Sequence, residues 1–228
     1  GKGAEYLGQL IARVADAQFW QQRREDAEVT AREGLRLVGA CSASPARVAL
    51  LERLCACLLF QHPRTGVDEA IQQLEHALAD APYFDGVAEA HYRLARAYMR
   101  RARRHGSLWS NTLSWLMRME ELCCEHGDRR GLARCYHGMA DMYIAREREF
   151  DQAIKFYRQS LEHSTYLSDT RLMYESHLEL AHSIMISDGE IGEAEKHIRL
   201  GLVAMRRLEA ATGYVARAPE CFELIGDE

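Results

Sequence analysis

The chain has 228 residues, 47% of them hydrophobic and 28% charged, with a formal net charge of −5. That apolar content is ample for a continuous core and excludes a disordered polyelectrolyte, and the acidic balance argues against a general nucleic-acid binder. Seven cysteines form an odd set without disulfide-framework spacing, and no apolar run approaches the roughly 20 residues needed to span a bilayer.

Only four prolines occur, and Ala, Leu, Arg and Glu dominate, so long helices are expected throughout. Taken in order, the first helical pair is predicted over about residues 4–40, with "YLGQLIARVADAQFW" followed by "REDAEVTAREGL". The second, over 46–81, joins "ARVALLERLCACLLF" to "VDEAIQQLEHAL" across Pro63-Arg64-Thr65-Gly66. The third, over 84–126, pairs "VAEAHYRLARAYMRR" with "WSNTLSWLMRM"; the fourth, over 129–165, pairs "LARCYHGMADMYIAR" with "EFDQAIKFYRQSL". The fifth, over 168–210, pairs "MYESHLELAHSIMIS" with "EIGEAEKHIRLGL", and a short helix over 214–226 is expected to cap it. Proline, or glycine beside aspartate, stands where pairs should join.

The pairs repeat. Ala27, Ala70, Thr112, Ala153 and Ala194 align at intervals of 43, 42, 41 and 41 residues, and Ala15, Cys55, Ala95, Ala140 and Ala181 at 40, 40, 45 and 41. In each second helix the aligned residue is followed four and seven places on by Ala31 and Gly34, Leu74 and Ala77, Leu116 and Met119, Tyr157 and Ser160, or Ile198 and Gly201. Those offsets share one helical face, where small side chains admit a neighbouring helix. Thr112 and Met119 are larger than their counterparts, which predicts looser or kinked packing in the third pair.

These residues resemble the tetratricopeptide repeat family. Tyr136, Met139, Ala140 and Tyr143 occupy the places of its first-helix signature, Ala153, Tyr157 and Ser160 those of the second helix, and Pro82 the closing proline. The likeness covers about residues 5–210, with a repeat near 41 residues where the standard repeat has about 34. The resemblance implies an all-α, right-handed solenoid of five helix pairs in a single domain, whose first helices line a peptide-binding groove.

Within "HYRLARAYMRRARRHG", residues 91–106, six arginines occur without an acid. At 100° per residue Ala88, His91, Ala95, Tyr98 and Ala102 share one face, while Arg93, Arg96, Arg100, Arg103 and Arg104 lie opposite. On the resembling fold Arg93, Arg96 and Arg100, flanked by Tyr92 and Met99, would be inner-wall residues, and Arg134 would begin the next wall. Guanidinium forks suit carboxylate or phosphate, so the expected partner is a protein or peptide, acidic or phosphorylated. Phe19 and Trp20 would anchor apolar side chains, with Arg13, Asp16, Glu52, Phe60, His137, Asp141, Glu175 and His182 as further wall positions. Packing beneath the first loop is the competing reading for Phe19 and Trp20, and a solvated basic face is the competing reading for the arginines.

Neither "CCEH" at 123–126 nor Cys55-x-Cys57 has zinc spacing, and His177 and His182, five apart, fall on different faces. No phosphate loop, nucleophile elbow or H-E-x-x-H occurs. The expectation is a non-enzyme without metal or cofactor, cytoplasmic or nuclear, with no membrane partner and nucleic acid disfavoured. Self-association through the solenoid ends stays open. Two rival functions remain: a ligand-sensing regulatory domain of a larger signalling switch, either a STAND-type ATPase or a transcription regulator, and an RNA-binding helical repeat. The opening "GKG" and closing "ELIGDE" read as the ends of a fragment, which favours the sensor somewhat.

Overall fold

The computed structural model describes residues 2–39, 44–61, 67–79, 83–84, 86–105, 109–187 and 189–212. Ten α-helices and no strand occur among the described residues: α1 Lys2–Trp20, α2 Arg24–Val38, α3 Pro45–Gln61, α4 Val67–Ala79, α5 Val87–His105, α6 Trp109–His126, α7 Arg129–Glu147, α8 Phe150–Tyr166, α9 Thr170–Ile186 and α10 Ile191–Thr212. The fold is therefore all-α. The expected cap over 214–226, the break at Pro63–Gly66 and Pro82 lie outside the described residues. Pro45 opens α3, where its missing N–H costs no helical bond.

Two compact units divide the chain, Gly1–Leu122 and Cys123–Glu228. In the first, α1 packs on α2 and α3, α3 also on α2, α4 and α5, and α4 on α5. Ala15, Ala31, Leu51, Cys55, Ile71, Leu74 and Leu94 lie in one core, with Trp115 of α6 packed against it. In the second, α7 packs on α8 and α9, α8 on α9, and α9 on α10, around Ala140, Ala153, Tyr157, Ala181, Ala194 and Ile198. Each odd helix thus meets both its even neighbour and the next odd helix of its unit.

The aligned positions explain this packing. Every residue of both ladders is buried, including the small–large–small triplets of all five even helices. Offsets of four and seven place them on one stripe, and the small members let backbones close. At Gly34 an added Cβ would stand 2.7 Å from Leu50 Cδ2 and 2.9 Å from Ile11 Cγ2, so α2 meets α1 and α3 too closely for any side chain. Thr112 and Met119 are as buried as their counterparts, and α6 runs as one helix.

A joint recurs with the same period. Asp128 and Asp169, 41 residues apart, have φ/ψ of −76°/85° and −75°/83°. Asp128 Oδ1 accepts from Gly131 N at 2.8 Å and Asp169 Oδ1 from Leu172 N at 3.1 Å. Each aspartate N–H donates at 2.9 Å to the carbonyl five residues before it, Cys123 O or Ser164 O. The residue ahead is left-handed in both: Gly127 at φ 65° and Ser168 at φ 54°. Glycine takes that conformation at no steric cost, whereas Ser168 gives up about 1 kcal/mol for it.

Candidate functional site

In the first unit the site grows from the polar stripe of α5. Ala88, His91, Ala95, Tyr98 and Ala102 are buried, whereas Arg93, Arg96 and Arg100 are half-buried and Arg103 is exposed. Arg93 does not stand alone. Its Nε lies 2.8 Å from Glu52 Oε1 and its Nη2 2.9 Å from Glu89 Oε1. Glu52 Oε2 is in turn 3.3 Å from Arg53 Nη2, and that same guanidinium bonds Asp16. A chain of five charges, Asp16–Arg53–Glu52–Arg93–Glu89, therefore crosses α1, α3 and α5.

Glu52 and Arg53 are both buried, and Nε and Nη1 of Arg53 have no hydrogen-bond partner among the described residues. Burial pushes the Glu52 carboxyl above the ordinary carboxylate range, against the pull of Arg53 and Arg93. Around the chain sit the expected aromatics. Phe19 is buried with the Arg53 guanidinium 4.7 Å from its ring centroid. Trp20, exposed, meets Phe19 edge-on at 5.5 Å and donates from Nε1 to Asp16 Oδ1 at 3.1 Å. Tyr92 is fully inside the core, at 2% exposure, so its ring supports the wall without offering a free face to a partner. Arg96 lies over that ring, 5.7 Å from its centroid, and makes no ion pair among the described residues. The side chain of Phe60 is outside the description.

The second unit holds the other expected residues. Arg134 Nη1 is 3.7 Å from Glu175 Oε2, and Arg171 Nε 2.9 Å from Glu175 Oε1. Burial pushes the Glu175 carboxyl up, yet His137, Arg134 and Arg171 outweigh it and hold the group below its usual range. His137 is buried, with Nδ1 3.0 Å from Ser176 Oγ and Nε2 3.7 Å from Asp141. Asp141 accepts from the Tyr157 hydroxyl at 2.7 Å. Ser176 Oγ is 3.1 Å from Ser160 Oγ, which donates to Ala133 O at 2.8 Å. This has the order of an Asp–His–Ser relay, but Ser176 is 0% exposed, and a nucleophile sealed in a core meets no acyl group. His182 is exposed, while His177 is buried against His197.

The structure thus gathers Phe19, Trp20, Tyr92, Arg93 and Arg96 around one charge chain in the first unit, and Arg134, His137 and Asp141 around another network in the second. Arg53, Glu89, Ser176 and His197 escaped the sequence reading. A signal for Arg53 existed: two charges inside the apolar run "VALLERLCACLLF" demand buried partners.

No group of three or more His, Cys, Asp or Glu able to hold a metal occurs among the described residues. Burial raises the thiols of Cys57 to about 11 and Cys123 to about 12, and that of Cys55 further, so these sulfurs stay protonated and poor in ligand character. No helix among the described residues is long and apolar enough to cross a membrane. No protein-family model matches the chain, and no curated protein matches it.

Proposed function

We propose that the chain is a tetratricopeptide-like interaction module that binds an acidic or phosphorylated peptide segment along α5. One observation carries the reading. Once Arg93 is held by Glu52 and Glu89 and Arg101 by Asp68, Arg96 and Arg103 still have no ion pair among the described residues. The positive surplus therefore sits on the stretch of α5 just beyond the neutralised chain. Arg96, resting on the Tyr92 ring, has its guanidinium plane partly fixed before a ligand arrives, so less side-chain entropy is lost on binding. A carboxylate or phosphate meeting Arg96 and Arg100 would gain charge-assisted hydrogen bonds, each worth roughly 1.5–3 kcal/mol. Arg93 keeps the wall in register and is not a ligand contact in this reading. Arg134 has the equivalent task in the second unit, where it is tied to Glu175. No catalytic step, metal or cofactor is part of the proposal.

The test is fluorescence anisotropy with glutamate-rich and phosphoserine peptides at low salt. Arg96→Glu with Arg100→Glu should weaken binding about 10- to 100-fold with helicity unchanged; unaltered affinity would refute the proposal. The ligand-sensing alternative has one support, an open cavity of about 390 Å³ in the second unit, lined by Arg148, Glu149, Phe150, Asp151, Gln152 and Ser187. A small molecule held there would be indifferent to reversal at Arg96 and Arg100, so the same double variant separates the two readings.

A further inference from the structure

α1 is apolar on two sides. Gly8, Ala12, Ala15 and Phe19 face the core, as expected for a packed helix. The opposite side carries Tyr6 at 66% exposure, Leu7 at 45%, Leu10 at 40% and Val14 at 51%, together with exposed Ala17. At 100° per residue these five fall within an arc of about 100° that contains no charged side chain. A helix with its outer side in water ordinarily carries charge there; a second apolar stripe is the pattern of a helix covered on both sides.

We infer that this outer stripe of α1 is the interface for a second copy of the chain, packed antiparallel about a twofold axis passing at Leu10. The argument for a second copy is self-complementarity. A two-fold contact must present the same patch twice, residue i meeting j and j meeting i. Reflected about Leu10, Tyr6 meets Val14 of the copy and Gly3 meets Ala17, so large side chains fill the middle while small ones let the helix ends close. Charge agrees with this arrangement. Arg13 edges the stripe and makes no ion pair among the described residues; in the antiparallel register it falls beside Gln9 and Tyr6 of the copy, with no like charge opposite.

Size then sets the strength. The exposed fractions of the five residues amount to roughly 400–500 Å² per copy, so the pair buries about 900 Å², below the ~1,200 Å² of permanent interfaces and within the range of weak, reversible ones. The interface is one that concentration switches on.

The experiment is sedimentation velocity of the whole chain from about 5 to about 500 µM, where a micromolar dimer passes from monomer to dimer. Wild type should double its mass across that range. Leu10→Glu, a substitution at a solvent-facing position, should stay monomeric with an unchanged circular dichroism spectrum, and Ile191→Glu, which replaces an exposed aliphatic residue of α10, should dimerise as wild type does. Geometry is read with Cys41, Cys124 and Cys221 replaced by serine. In that background Leu10→Cys should cross-link to itself under mild oxidation, while Tyr6→Cys should cross-link only when mixed with Val14→Cys. A chain that stays monomeric throughout overturns the inference and leaves the stripe to a different helix. So does a dimer that survives Leu10→Glu, one abolished by Ile191→Glu, or one in which Leu10→Cys does not cross-link.

Discussion

Glu52, Arg93, Arg134 and Glu175 stand 41 residues apart in succession, so they hold one and the same place in consecutive repeats. Glu52 pairs with Arg93 and Arg134 with Glu175: each charge reaches its own counterpart one repeat on. Helical periodicity put Arg93 and Arg134 on the right side of their helices, but a single helix says nothing about a partner one repeat away. The complementary signs at the repeat interval were the readable clue. Glu52→Ala leaves two buried guanidiniums with one carboxylate fewer. A loss of about 3 kcal/mol is expected, at the low end for a broken buried pair because Asp16 and Glu89 remain. Glu52→Gln, which keeps volume and an acceptor, should lose about half as much. Urea unfolding of both variants measures this; two stabilities within ~0.5 kcal/mol of wild type would mean that the chain of charges is not structural.

The helices themselves were legible because the pattern that specifies them is local: offsets of four and seven, with Pro, Gly or Asp at the breaks. The contacts that decide how one helix recognises another were less so. Thr112 and Met119 break the size pattern of their repeat, yet both are sealed in the core, since burial depends on where the stripe points and only then on what fills it. His177 of α9 and His197 of α10 illustrate the same limit. Their Nδ1 atoms are 2.9 Å apart, with rings 5.1 Å centre to centre. One ring donates and the other accepts, which requires both to be neutral. Burial, and then His197, lower the His177 pKa to about 4, and burial also lowers that of His197, where Glu193 pulls upward and Lys196 and Arg158 push down. A histidine with a folded pKa below its unfolded value leaves the unfolded state binding more protons. Its stabilisation is complete above about pH 6.5 and is lost as pH falls towards 4. Between those limits His177 contributes a slope of up to about 1.4 kcal/mol per pH unit. His177→Asn should flatten the pH dependence of urea midpoints by that amount; parallel curves for variant and wild type would refute the assignment.

For the molecule as a whole, a net charge of −5 and a local arginine stripe act on different distances. An acidic peptide approaching from afar meets repulsion, and only within about a Debye length, ~10 Å at 0.1 M salt, does it meet Arg96 and Arg100. Salt weakens both effects. The association rate should therefore change by less than about threefold between 20 and 200 mM salt, while the dissociation rate rises. Stopped-flow mixing resolves the two; an association rate collapsing with salt would indicate a field dominated by the stripe, as expected for a nucleic-acid binder.

The joints at Asp128 and Asp169 bear on how fast the chain reaches this structure. Each closes through bonds spanning at most five residues, so neither waits for a distant segment. Short loops close in tens of nanoseconds and helices elongate in nanoseconds per residue, whereas pairing across long separations slows folding by orders of magnitude. A polypeptide whose corners are written locally can assemble one hairpin of helices at a time, each new corner adding to a surface already formed, at a speed set by neighbouring residues and hardly at all by total length.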